Sequence, residues 1–266
     1  MRQAKRRRST AAPATYAYCV LQSTAAPAVA GVPAGLPGTG PLRALPVGGG
    51  LWLVAAAAPL PAYAGPAIER GLRDLNWVSE RAVAHERVVE HFAARGPALP
   101  LKLFTLFADD ARAVGSLRRR RATLGRVLAR VAGHREWGVR FTLARRAALP
   151  RATARPAASR PPSGTAYLTA RKSARDDVRD ALLRAVADAD RVFADLSRRA
   201  RDARRREPVQ TPDGARLLLD AAFLVPRRGE EAFLATARRW SERLAGEGRQ
   251  LAVTGPWPPY NFVDAR

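Results

Sequence analysis

The residue types that most often bind metals or carry catalysis are scarce in this chain. Its 266 residues include three histidines and one cysteine, Cys19, so no internal disulfide can form. The pair His85-Glu86 begins like the His-Glu-x-x-His motif of zinc peptidases, but valine stands where the second histidine is needed. His91 follows His85 by six residues, roughly 120° away around a helix. We therefore interpret His85 as a helix-face or capping residue.

Other catalytic and cofactor motifs are also missing. The sequence has no Gly-x-Ser-x-Gly nucleophile elbow, and Gly38-Thr39-Gly40 lacks the rest of a dinucleotide-binding fingerprint. No spacing typical of metal ligands occurs, and no pair of carboxylates is marked out for acid–base work. The sequence thus predicts a protein that is not an enzyme, with no catalytic, cofactor-binding or metal-binding residues.

Net charge is the most unusual bulk property. A formal charge of +23 favours anionic partners, namely nucleic acid, an anionic membrane surface or an acidic protein face. The excess is mostly arginine spread along the whole chain, and we interpret the run Arg118–Arg121 as a solvated helix surface. Nucleic-acid binding through the basic N-terminal tail and the arginine-rich helices remains the alternative function, although specific binding of nucleic acid is not expected.

Two apolar runs raise the question of export or membrane insertion. Tyr16–Leu21 is shorter than the apolar core of a signal peptide, and Leu51–Ala64 is interrupted by Pro59 and Pro61. We predict no membrane association and a cytoplasmic protein, with residues 1–12 as a disordered basic tail.

The first part of the chain has the pattern of three strands, a helix and a strand. The helix begins at Pro66 and ends before Gly96-Pro97, with Leu72 and Leu75 among its inward positions. The predicted strands are Tyr16–Leu21, Leu42–Val47, Leu51–Ala58 and Ala98–Phe107, with a hairpin turn at Gly48–Gly50.

The second part alternates helices and strands. Its longest predicted helix, Ala174–Arg206, has a heptad-like seam that is expected to pack within one chain. The other elements are helices Asp109–Ala132 and Glu230–Glu247 and strands Glu136–Leu143, Leu217–Val225 and Gln250–Val253. Together these patterns predict an α+β protein with domains 13–108 and 109–266, the latter interrupted by a flexible linker at 144–164.

The C-terminal segment Thr254–Phe262 is stiff and aromatic. Three prolines fix their own φ angles and restrict the residues before them, so docking the segment costs less conformational entropy than docking an ordinary tail. Trp257, Tyr260 and Phe262 supply the apolar area. We expect the segment to pack on the second domain with Trp257 largely buried. Contact of these aromatic residues with a partner protein is the alternative, and a Pro-x-x-Pro ligand is a weaker one.

Motifs along the chain resemble those of the gas vesicle accessory proteins of the GvpL/GvpF family. The resemblance runs from Tyr16 to Val263 and includes Leu103-Phe104 where the family has Phe-Gly, and Phe223 where it has tyrosine. The motif residues that it marks as structural or interaction residues are Trp77, His85, Glu86, Pro100, Trp137, Gly138, Tyr167, Gly255, Pro256, Trp257, Pro258, Pro259, Tyr260 and Phe262.

The family resemblance carries expectations about fold and function. It implies a modified ferredoxin-like N-terminal domain and an α+β C-terminal domain with a coiled-coil element of long helices. It also implies a non-enzymatic protein that assists gas vesicle formation by binding the small hydrophobic shell protein. Other gas vesicle accessory proteins are further partners that the resemblance implies.

Overall fold

The chain folds into two compact units, which are described separately. The computed structural model describes residues 13–144, 164–207, 215–245 and 248–263. The first unit comprises Met1–Gly133 together with Pro258–Arg266, and the second comprises His134–Trp257. The predicted tail 1–12 and nearly all of the predicted linker 144–164 lie outside the described residues.

A sheet of five strands forms the centre of the first unit. Its strands are β1 (Ala14–Gln22), β2 (Arg43–Gly48), β3 (Leu51–Ala58), β4 (Ala98–Pro100) and β5 (Leu106–Phe107). The order is β2-β3-β1-β4, β5 also pairs with β1, and all pairs are antiparallel. Residues 14–21 of β1 are all buried, which explains their apolar run on both faces. The predicted β2–β3 hairpin is confirmed, with positive φ at Gly48, Gly49 and Gly50.

Five helices complete the first unit: α1 (Leu60–Tyr63), α2 (Pro66–Gly71), α3 (Leu75–Ala93), α4 (Asp110–Arg119) and α5 (Arg121–Val131). The prediction of one continuous helix from Pro66 is wrong. Asp74 starts a new helix because its carboxylate accepts hydrogen bonds from the backbone N–H groups of Asn76 and Trp77. The break leaves Leu72 and Leu75 exposed, at 56% and 78%, instead of facing inward.

Helix α4 is fastened to the first sheet by its N-terminal aspartate. Asp110 accepts hydrogen bonds from Thr15 in β1, at 2.5 Å, and from Arg43 in β2, at 2.6 Å and 3.2 Å. The Arg43 guanidinium beside this carboxylate lowers the pKa of Asp110. These contacts place α4 with the first unit, so the division between the units falls after Gly133 and not near Asp109.

In its described residues, the second unit is a four-stranded antiparallel sheet with two α-helices. Its elements are β6 (His134–Leu143), α6 (Gly164–Ser197), β7 (Asp202–Arg205), β8 (Arg216–Pro226), α7 (Glu230–Leu244) and β9 (Arg249–Trp257). The sheet order is β7-β8-β6-β9. One face of this sheet packs with α6 and α7 around Phe141, Phe223, Phe233 and Trp240. The long helix ends at Ser197 rather than continuing to Arg206, because residues 202–205 pair with β8.

The architecture confirms the coarse prediction of a mixed helix-and-sheet protein with antiparallel sheets. The β-α-β-β-α-β order of a ferredoxin-like unit occurs in the second unit, whereas in the first a loop joins β1 to β2. A ferredoxin-like first domain and a coiled-coil element therefore remain unconfirmed. Among the described residues, no helix is both long and apolar enough to cross a membrane.

Candidate functional site

The motif residues singled out in the sequence divide between the two units. The first unit contains Trp77, His85, Glu86, Pro100, Pro258, Pro259, Tyr260 and Phe262. The second contains Trp137, Gly138, Gly255, Pro256 and Trp257. Tyr167 lies in α6, but its side chain is outside the described part of the chain.

The C-terminal segment changes its role at Trp257. Up to that residue it extends β9, where Trp257 pairs with Glu136 of β6. After it, Pro258 and Pro259 are buried, Tyr260–Phe262 forms a 3₁₀ turn, and Phe262 has no exposed surface. Because Pro258–Arg266 belongs to the first unit, the expectation that the whole segment packs on the second domain is wrong.

A hydrogen bond between Tyr260 and Glu86 fixes this segment in the first unit. The Tyr260 hydroxyl donates to Oε2 of Glu86 on α3 at 2.6 Å, joining residues 174 positions apart. Burial raises the pKa of Tyr260, and the Glu86 carboxylate raises it further by accepting the hydroxyl proton. The phenol therefore stays protonated and continues to donate at any physiological pH.

His85, the neighbour of Glu86, lies in a buried network with Tyr16. The Leu101 carbonyl can only accept, so His85 Nε2, 3.1 Å away, carries the proton. Nδ1 must then accept, and the Tyr16 hydroxyl donates to it at 2.8 Å. The same hydroxyl accepts from the backbone N–H of Phe104 at 3.3 Å. One neutral tautomer thus satisfies every group in the network.

Burial also determines the charge state of this histidine. His85 is 3% exposed, and desolvation lowers its pKa from 6.5 to about 4, although its hydrogen bond to Leu101 acts in the opposite direction. Burial raises the pKa of Tyr16. Both groups are therefore uncharged at neutral pH, and their hydrogen bonds join α3 to β1 and to the segment after β4. His85 does lie on a face of a helix, as interpreted from the sequence, but this face of α3 is buried in the first unit.

Two more tyrosines extend the cluster. Tyr18 packs edge-on against Tyr16, with ring centroids 4.7 Å apart, and stacks on His85 at 5.5 Å. Its hydroxyl accepts from the backbone N–H of Leu36, while the Tyr63 hydroxyl donates to the Pro37 carbonyl at 2.5 Å. These bonds hold the β1–β2 loop against the sheet. Sequence analysis missed Tyr63, because a four-residue helix has no detectable periodicity.

Trp77 fixes an unusual turn after β4. Phe104 has φ of 64°, the left-handed region that glycine favours, and it is the residue that replaces the family glycine. The Phe104 ring stacks on Trp77 at 5.4 Å, and the Arg81 guanidinium lies 4.0 Å from the Trp77 ring centroid. The turn interrupts the predicted strand Ala98–Phe107 into β4 and β5. Stacking on Trp77 offsets the backbone strain of the phenylalanine.

Substitution of Phe104 tests whether the turn is strained. At most positions alanine gives a more stable protein than glycine, and at Phe104 we expect the reverse. We expect Phe104→Ala to be less stable than Phe104→Gly by about 1 kcal/mol, because alanine loses the stacking but keeps the left-handed strain. Urea denaturation of both variants measures the difference.

Ala129 in α5 provides the matched control, since it is exposed on a regular helix. Ala129→Gly should follow the normal order and destabilise by about 1 kcal/mol. Equal stability of the two Phe104 variants would show that the turn is not strained.

In the second unit, the glycines of the motifs allow close approach between β6 and β9. A Cβ on Gly138 would lie 2.6 Å from the Thr254 hydroxyl oxygen, and one on Gly255 would lie 2.9 Å from the Glu136 carbonyl oxygen. Gly255 also has φ of 123°. Trp137 is buried in the core beside Phe233. We assign these residues to strand packing.

Trp257 does not share this burial. It is 41% exposed at the end of β9, and the adjacent Pro256 is exposed as well. The expectation that Trp257 is largely buried is therefore wrong. Pairing with Glu136 of β6 holds the backbone of Trp257 at the end of the second sheet. Trp257 is the one motif aromatic residue with a large exposed surface among the described residues.

An ion network on β8 was not found from the sequence. Asp220 has a 3% exposed side chain and binds Arg206 through both Nε and Nη2, with Arg140 Nε at 3.5 Å. The signal was an aspartate inside the apolar run Leu217–Val225, since a buried carboxylate needs a cationic partner. The network joins β7 and its C-terminal end to β8 and β6.

These arrangements hold polypeptide segments in place. Within the described ranges, no group of three or more His, Cys, Asp or Glu side chains is placed to hold a metal ion. Burial raises the pKa of Cys19, so this thiol is not activated as a nucleophile. The exposed Trp257, at the end of β9, is the strongest candidate for a functional contact.

Comparison with known proteins identifies the family. The sequence model for "Gas vesicle synthesis protein GvpL/GvpF" matches residues 14–264. Gas vesicle protein L of Streptomyces sp. (strain CB03234) is 32% identical over 222 residues, covering 81% of this chain and 80% of that protein.

Two solved structures share the fold at 18% sequence identity. GvpF from Anabaena sp. PCC7120 superposes with a TM-score of 0.69 over 96% of this chain and 97% of its own. GvpF from Microcystis aeruginosa gives a TM-score of 0.66, with 95% and 99% coverage. At this sequence identity the two structures show only that the fold is shared. The family model and the Streptomyces relative show which family the chain belongs to. The chain belongs to the GvpL/GvpF family of gas vesicle synthesis proteins, which gives it a role in gas vesicle formation.

Proposed function

We propose that this protein is a non-enzymatic accessory protein that binds the small hydrophobic shell protein while gas vesicles assemble in the cytoplasm. A shell subunit that has not yet joined the shell exposes an apolar face, and such faces aggregate unless a partner covers them. Membership of the GvpL/GvpF family supports a role in gas vesicle assembly. The exposed Trp257 supports the proposed contact with the shell protein. Other accessory proteins are further partners in this proposal.

The exposure of Trp257 is the observation that carries the proposal. Exposed tryptophans are prominent among the residues that dominate protein–protein binding energy, because a large rigid ring buries much area for little loss of side-chain entropy. Trp257 ends β9, one of the two outer strands in the order β7-β8-β6-β9. An outer strand offers backbone groups to an incoming chain, so an apolar partner strand would meet both the backbone and the indole.

Substitution of Trp257 tests the proposed contact. We expect Trp257→Ala to weaken capture of purified shell subunit by roughly 30-fold, the loss typical of a hot-spot residue of about 2 kcal/mol. The thermal midpoint should change little, because the side chain is 41% exposed. Binding is measured with the full chain immobilised and the shell subunit in solution.

Leu75→Ala is the matched control, since Leu75 is also an exposed large apolar residue, at 78%, but lies on α3. It should bind the shell subunit like the unsubstituted protein. Undiminished capture by Trp257→Ala would refute the assigned contact. Absence of any capture by the unsubstituted protein would refute the proposed function itself.

A further inference from the structure

In the first half of the long helix α6, the side chains that the structure describes have very little packing. Between Thr165 and Asp180, every described side chain is exposed except the half-buried Val178. The second half differs, because Ala185, Ala189, Val192 and Leu196 are buried within the second unit. A helix of about 15 residues is only marginally stable in water without tertiary contacts. On its described side chains, the first half of α6 therefore has few of the tertiary contacts that stabilise a helix.

Exposed apolar residues lie along one side of the same helix. Leu168, Leu183 and Val186 are 63%, 58% and 42% exposed. At about 100° per residue, Leu168 and Val186 point in the same direction and Leu183 lies roughly 60° away. The buried residues of α6 are centred roughly 90° from this direction. The exposed residues thus form a second surface, which we call the α6 stripe, distinct from the seam that packs on the sheet.

The charges that flank the stripe are arranged symmetrically. Arg179 lies four residues before Leu183, and Asp190 lies four residues after Val186, one helical turn away in each case. Both charges are therefore equally far from the midpoint between Leu183 and Val186. Asp190 is 61% exposed and binds Arg205 at 2.6 Å on Oδ1. Arg179 has no ion-pair partner among the residues that the structure describes.

We propose that the α6 stripe is a self-association surface whose occupant is the antiparallel α6 stripe of a second copy of this chain. A two-fold axis through the midpoint places Leu183 on Val186 of the other copy and Arg179 beside Asp190 of the other copy, twice each. Position 168 would face position 201, beyond the end of α6 at Ser197, so Leu168 lies outside this contact. Parallel pairing would instead oppose Arg179 to itself and Asp190 to itself. This self-complementarity favours a second copy over an unrelated apolar partner, and the inference does not depend on the proposed binding of shell protein.

The size of the contact sets the expected affinity. A single helix pair buries less than the roughly 1,600 Å² of a standard interface, so self-association should be weak and depend on concentration. Sedimentation equilibrium of the full chain from about 1 to 300 μM covers the range of such affinities. A monomer throughout that range would overturn the proposal.

A charge introduced at the centre of the stripe should separate the copies. We expect Leu183→Asp to raise the dissociation constant of the dimer at least tenfold. Leu75→Asp, which changes another exposed leucine on α3, is the control and should leave the constant unchanged. Equal effects of the two substitutions would overturn the assignment to α6. Because both leucines are exposed, circular dichroism should show intact folding in each variant.

Charge exchange tests the register. Arg179→Asp and Asp190→Arg, each alone, oppose like charges across the two-fold and should weaken dimerisation about tenfold. The double variant restores opposite charges at both places, so its dissociation constant should return to within about threefold of the original. A double variant as weak as the singles would overturn the antiparallel register.

Spin labels report the orientation directly. Cys19 is fully buried, so Arg184→Cys and Lys172→Cys each provide one reactive thiol outside the contact. In the antiparallel pair, the backbones at position 184 lie within about 15 Å of each other, whereas those at position 172 are separated by about 37 Å along the axis. In a parallel pair, both positions would show the short distance, and that result would overturn the proposal.

Discussion

Phe262→Ala should lower the free energy of unfolding by about 3–5 kcal/mol, because truncating a buried phenylalanine removes its transfer energy and leaves a cavity. Phe262 has no exposed surface, and it belongs to the C-terminal segment that completes the first unit. The loss is a large part of the stability of a typical domain. It should therefore appear as unfolding of the first unit, although the residue is close to the end of the chain.

Hydrogen exchange can locate this effect. In Phe262→Ala, amides of β1 and α3 should lose protection before amides of β6 and β8, since the former pairs of elements belong to the first unit and the latter to the second. Trp257→Ala is the matched comparison, five residues earlier and 41% exposed. If Trp257→Ala destabilised more than Phe262→Ala, or if β6 and β8 lost protection first, the assignment of the segment to the first unit would be wrong.

Local patterns in the sequence were sufficient for most strands and helices. The strands β1, β3, β6 and β8 have alternating or continuous apolar runs bounded by turn residues, and their observed limits differ from the prediction by few residues. Two helix breaks were harder to predict. The cap at Asp74 competes with an apolar periodicity that continues across it, and the predicted helix Asp109–Ala132 is divided at Arg120, whose backbone leaves the helical conformation. A capping residue is a local signal for the start of a helix, but apolar periodicity can favour a continuous helix over the same residues.

Strand β7 could not be found from its own residues. Asp202–Arg205 consists of charged residues and alanine, which have no preference for strands, and it follows a long helical pattern. Its conformation comes from pairing with β8 and from the Arg206–Asp220 contact. Charged outer strands are common because they discourage unwanted pairing, and this one is stabilised by tertiary partners that only the fold supplies.

The placement of the C-terminal segment depends on the fold for a similar reason. Stiffness and aromatic content predicted correctly that the segment is anchored, but they contain no information on which surface receives it. The anchor is a hydrogen bond between Tyr260 and Glu86, and no local pattern links residues that far apart. Trp257 and Phe262 look equivalent in the sequence, yet one is exposed and the other buried.

His85→Gln should remove a large part of the acid sensitivity of this protein. The pKa of His85 is about 4 in the folded protein and 6.5 in the unfolded chain. Between these two pH values the unfolded chain therefore binds a proton at this residue and the folded protein does not. Stability from the neutral histidine is complete above about pH 6.5 and is lost progressively as pH falls towards 4. A difference of this size corresponds to about 3 kcal/mol, with a slope of up to about 1.4 kcal/mol per pH unit.

The measurement is the free energy of unfolding in urea between pH 7 and 4.5. Glutamine cannot take up a proton, so His85→Gln should be less stable than the unsubstituted protein at pH 7 but should have a much flatter pH profile. The lower stability at pH 7 arises because the Tyr16 hydroxyl loses the Nδ1 acceptor of His85.

His91→Gln serves as the control for histidine loss in general. The pKa of His91 is also lowered, by desolvation and then by Arg95, but its partly exposed position makes its share of the profile small. The slope should therefore survive in His91→Gln and disappear largely in His85→Gln. Equal slopes in all three proteins would mean that protonated His85 is accommodated in the fold, and the single-tautomer network with Tyr16 and Leu101 would then be wrong. A lost slope in His85→Gln alone would tie the acid sensitivity of the first unit to one buried imidazole, held neutral by the carbonyl on one side and the phenol on the other.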